Sequence, residues 1–147
     1  MALGYKFKHY LFNAFRELFI YHHSSLEFRA KLFALVIAAN EHSDTCDYNI
    51  VKSIGMAIYN DEDRSNTLTL TTREFVEKIR QSSGIDVDTL IHDIVQELKV
   101  IPRYAKKIDV DQLRQLISCN DDPDTVSYQK SIIAFLERLK RDYEQRP

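Results

Sequence analysis

Glycine and proline are scarce, three of each in 147 residues. So little turn material disfavours a many-stranded β fold and favours helices joined by polar loops. Cysteine is scarcer still. Cys46 and Cys119 lie far apart, form no CxxC and have no histidine at ligand spacing, so neither a zinc site nor a disulfide framework is supported, and free thiols are expected. Neither charge sign dominates: 20 Lys and Arg against 22 Asp and Glu leave a net charge of −2. That balance excludes a globally basic nucleic-acid binder, though not a local basic patch, and no nucleic-acid partner is expected. No apolar run reaches the ~18 residues of a membrane-spanning helix. Lys6, Lys8, His9, Asn13 and Arg16 interrupt the N-terminal apolar residues, and no small-residue cleavage site follows. A cytoplasmic location is the resulting expectation.

What is present is ordinary globular material. Hydrophobic residues make up 44% and charged residues 29%, which excludes wholesale disorder. The length predicts one domain over residues 1–147.

Apolar residues from Leu3 to about Tyr21 step at three and four, predicting a helix. A second helix follows Ser24 or Ser25. Leu26, Phe28, Leu32, Phe33, Leu35, Val36 and Ile37 fill most of its circumference, so it reads as buried, with Leu32–Ala39 at the centre of the core. Asp44 and Asp47 resemble a capping box before a third helix over Thr45–Tyr59, its inward face Tyr48, Val51, Ile54, Met56 and Ile58. Residues 60–66 read as a loop and 67–71 as an extended linker. Thr71 and Glu74 read as a second capping box, opening a short helix with Phe75, Val76 and Ile79 that stops at Gly84. Asp86 or Asp88 caps the next helix, which carries Leu90, Ile91, Ile94, Val95 and Leu98 and closes before Pro102. Asp109 and Gln112 start another, and Asp122-Pro123 opens the last, which runs to about Tyr143. The expectation is an all-α bundle of about seven helices, with Leu35, Val36, Ile54, Ile94, Leu116 and Phe135 buried.

Chemistry is harder to find. The adjacent His92-Asp93 invites comparison with metal-dependent phosphohydrolases, with His42 and Asp109 drafted as further ligands; such a metal would activate a bound water. His22 and His23 point about 100° apart on a helix, do not chelate together, and suit a helix C-terminus. Gly4, Gly55 and Gly84 are isolated, so no phosphate-cradling loop exists, and no nucleophile elbow is present. The acidic groups Glu41, Asp44, Asp47 and Asp61-Glu62-Asp63 offer hard oxygen ligands but lack the order of an EF-hand loop.

Nine of the sixteen aromatics fall within residues 1–33. Lys6, Lys8, Arg16, Arg29 and Lys31 outweigh Glu17 and Glu27 there. Such an aromatic, basic helix over residues 1–22 either packs on its own core, the reading preferred here, or docks on a partner's groove or a membrane surface.

Residues 30–47, from Ala30-Lys31-Leu32-Phe33 through Ala38-Ala39-Asn40-Glu41 to Asp44 and Asp47, resemble the first helix hairpin of the TerB-like tellurite-resistance domains. Ala38 and Ala39 match the family's Ala-Ala-Asp-Gly, Asp44 falls at its cap and Asp47 at its later acid, while Asn40 and Glu41 replace its Asp and Gly. The family's second acidic copy is not visible in 122–141. The resemblance implies a helical scaffold linked to membrane-associated stress complexes, with acidic metal coordination. The expected function is therefore a non-catalytic scaffold or interaction module with a protein partner or a homodimer, the alternative being phosphohydrolysis at His92 and Asp93. If a metal binds, it is a hard cation, calcium or magnesium, at Glu41, Asp44 and Asp47.

Overall fold

The elements follow the caps and the apolar spacing of the chain. A computed structural model describes residues 24–40, 45–81 and 86–145. Among these, six α-helices occur: α1 Ser24–Ala38, α2 Thr45–Tyr59, α3 Glu62–Arg80, α4 Val87–Val100, α5 Val110–Gln115 and α6 Pro123–Glu144. Two short 3-10 helices, Pro102–Lys107 and Leu116–Cys119, complete an all-α domain fold. The expected helix over Leu3–Tyr21 and the stop at Gly84 lie outside the described residues.

Helix α1 has no polar face between Leu32 and Ile37, and every one of those residues is buried, as are Leu26, Phe28 and Ala30. A helix apolar all round must be covered all round. Accordingly α1 packs against α3, α4, α5, α6 and the first 3-10 helix. Its C-terminal end leaves carbonyls without intrahelical partners. The Gln129 amide on α6, itself buried, donates to the Val36 carbonyl at 3.0 Å and satisfies one of them.

Aspartates start four helices by accepting a backbone N–H three residues on: Asp61 from Arg64 at 3.2 Å, Asp86 from Thr89 at 2.7 Å, Asp109 from Gln112 at 3.2 Å and Asp122 from Thr125 at 2.9 Å. Asp86, not Asp88, is thus the cap of α4. The bonds to Thr89 and Thr125 hold the Asp86 and Asp122 carboxyls below their ordinary range.

Helix α3 is the main correction. Residues 62–71 are neither loop nor linker but its first half, and the cap is Asp61, not Thr71, which is buried within the helix. The helix satisfies its threonine hydroxyls internally. Those of Thr67, Thr69 and Thr72 donate to the carbonyls of Asp63, Ser65 and Leu68, four residues back, at 2.9, 2.9 and 2.7 Å. Alternation of Thr and Leu mimics a strand, yet Leu68, Thr72, Phe75, Val76 and Ile79 form a helical stripe on the core.

Only Asn60 and Asp61 separate α2 from α3, and Asn60 turns the chain at φ 50°, where asparagine is tolerated. The two helices touch at Gly55, where a Cβ would lie 2.8 Å from the Ser65 hydroxyl oxygen and 3.0 Å from Ser65 Cα. That hydroxyl cannot move aside freely, because it donates to the Lys52 carbonyl at 2.6 Å. A Gly55→Val variant is therefore expected to lose about 1–3 kcal/mol through overpacking, measured by urea unfolding. Met56, expected inward, is exposed, because it sits about 200° around the helix from Ile54. Leu35, Val36, Ile54, Ile94 and Leu116 are buried as expected, whereas Phe135 is only partly covered at the edge of the core.

The cysteines are not free thiols. Cys46 and Cys119 form a disulfide with Cα atoms 5.8 Å apart, tying the first turn of α2 to the end of the second 3-10 helix. Spacing along the chain could not reveal a pair that only the packing of distant elements brings within reach.

Candidate functional site

Of the residues singled out for chemistry, Asp47, His92, Asp93 and Asp109 lie among the described residues. Glu41, Asp44 and His42 lie outside the described residues. Asp47 is buried in the first turn of α2, where a carboxylate meets the positive end of the helix dipole. On α4, His92 is exposed and Asp93 half-buried, and the drafted ligand Asp109 is engaged in capping α5. Among the described residues no three His, Cys, Asp or Glu side chains gather into a metal site, and no helix is long and apolar enough to cross a membrane.

One ion pair crosses the interior. Lys31 on α1 donates to Glu97 on α4 at 3.0 Å, and its ammonium also lies 5.9 Å from the Phe75 ring centroid. Burial pushes the Glu97 carboxyl above its ordinary value of 4.5; Lys31 opposes this, and the acids Glu27 and Asp93 reinforce it. A raised carboxyl value means the folded chain holds this proton more tightly than the unfolded chain. The associated stability is present below the ordinary value and is lost as pH rises through the raised one. Relative to Glu97→Gln, the wild-type protein should thus lose stability as pH climbs from the ordinary glutamate range towards neutrality. Urea midpoints of both proteins at acidic and neutral pH check this; a constant difference contradicts it. The pair reads as a structural cross-link between two helices.

A groove of about 560 Å³ lies where α5, the second 3-10 helix and α6 meet, lined by Arg114, Ile117, Ser118, Lys130, Ile133, Ala134 and Glu137. Its floor is Ile133 and Ile117. Lys130, Ala134 and Glu137 follow one another at helical spacing and so share one face of α6. Ala134 is exposed, and its small side chain opens the groove midway along that face. Neither Lys130 nor Glu137 has an ion-pair partner among the described residues. Apolar periodicity pointed only at the inward stripe of α6; the legible signal for the outer face was a small residue flanked by opposite charges. Compared with protein-family models, curated proteins and solved structures, the chain finds no match in any of the three.

Proposed function

We propose that this chain is a non-catalytic helical interaction module that pairs with a second copy of itself through α6. The observation that carries the reading is the placement of Lys130 and Glu137 on either side of Ala134 along the groove. Two α6 helices packed antiparallel about a two-fold axis beside Ala134 set Lys130 of one copy against Glu137 of the partner subunit, and the converse, so that one patch is its own complement. Ala134 lets the helices approach closely, and the partly exposed Ile117 supplies apolar surface to cover.

Sedimentation velocity tests it. The wild-type protein is expected to dimerise. Lys130→Glu sets like charges against each other twice and should weaken the dimer at least about tenfold, while Lys130→Glu with Glu137→Lys restores it. A monomer at every concentration, or a swap without rescue, overturns the reading.

The TerB-like resemblance of residues 30–47 adds a scaffold role in a stress-linked complex, and hard-cation binding at Glu41, Asp44 and Asp47 belongs to the same proposal. Cytoplasmic location loses one premise, since the thiols are paired; a lasting Cys46–Cys119 bond fits an oxidising compartment better.

A further inference from the structure

A cluster of like charges lies away from the groove, where α1 meets the first 3-10 helix. The buried Tyr104 ring packs against Phe28, with centroids 5.2 Å apart. That contact joins α1, which also carries Arg29, to the 3-10 helix that carries Arg103 and Lys107. Arg103 lies 5.8 Å and Lys107 6.0 Å from the Tyr104 centroid. Arg29 lies 5.5 Å from the Tyr59 centroid and donates to the Tyr59 hydroxyl at 3.2 Å. Aromatic faces orient all three cations without neutralising them.

None of the three has a carboxylate partner among the described residues, whereas Lys31, Lys78, Arg114 and Lys140 each have one. Burial, together with the nearby Arg29 and Arg103, pushes the Lys107 ammonium below its ordinary value, as expected of cations held close together. A fold that holds three positive charges in one neighbourhood is stabilised by an anion placed among them. Planar guanidinium forks and an ammonium suit the several oxygens of a phosphate group. Tyr59, whose oxygen accepts from Arg29, keeps its own O–H to donate.

We propose that Arg29, Arg103 and Lys107, with the Tyr59 hydroxyl, form a binding site for a phosphate group, carried either by a free phosphate ester or by a lipid headgroup. The patch is a few residues wide, and so is compatible with a chain of net charge −2.

Calorimetric titration of the full chain with inorganic phosphate, at constant ionic strength in chloride, tests the site. Binding is expected, and Arg103→Gln with Lys107→Gln should weaken it at least about tenfold. Lys99→Gln, exposed on α4, should leave it unchanged. Circular dichroism confirms that the variants fold, and the single Arg103→Gln serves if the double variant does not. A second arm measures sedimentation with phosphatidylcholine vesicles, with and without phosphatidic acid. Binding to phosphatidic acid vesicles that is lost in the variant supports the site with a headgroup as source. Phosphate binding without vesicle binding supports it with a free ester. No binding in either arm, or binding that the variants retain, overturns the proposal.

Discussion

Reduction of the Cys46–Cys119 bond is expected to lower the unfolding free energy by about 4 kcal/mol, the chain-entropy value for a loop closed over 73 residues. Domains of this kind have only about 5–15 kcal/mol in hand, so reduced protein should unfold at a markedly lower urea concentration. The bond joins α2 to the second 3-10 helix, its two cysteines 73 residues apart in sequence. Unfolding curves with and without reductant measure the effect, and a Cys46→Ser, Cys119→Ser double variant should match the reduced protein and no longer respond to reductant. Coincident curves for oxidised and reduced wild-type protein would count against a stabilising bond.

Phe28→Ala is expected to cost about 3–5 kcal/mol. The ring is fully buried, so truncation leaves a cavity in addition to the lost transfer energy, and it removes the contact that holds Tyr104 and the first 3-10 helix against α1. Thermal and urea unfolding report the loss. Phosphate titration of the same variant should show weaker binding, because Arg103 and Lys107 ride on the ring that Phe28 supports. Phe28→Leu, which keeps most of the apolar volume, should recover much of the stability.

The sequence made several elements legible where local chemistry decides the outcome. Asp86, Asp109 and Asp122 announce helix starts because a carboxylate three residues before a free N–H needs no distant partner. The burial of α1 was legible because no polar face was available. Local reasoning failed where two backbone states share a pattern: the Thr-Leu alternation of 67–71 suits a strand until hydroxyls bond back to the preceding turn. It failed again where a side chain's role depends on distant elements. The disulfide, the Lys31–Glu97 pair, the groove and the Arg29, Arg103 and Lys107 cluster all join residues well separated in sequence. Of these, only the groove leaves a local trace, the small Ala134 between opposite charges on α6.

The covering of α1 has a consequence for biosynthesis. Val36 precedes Gln129, the α6 residue that closes over its carbonyl, by 93 positions. At about 5–20 residues per second, roughly 5–20 s separate the synthesis of the two. For that interval the wholly apolar stretch 32–37 exists before its last cover does. α3 and α4 arrive sooner and can shield part of it, but the side facing α6 stays uncovered until α6 is made. Until α6 closes over it, that apolar side is the part of the nascent chain most exposed to aggregation.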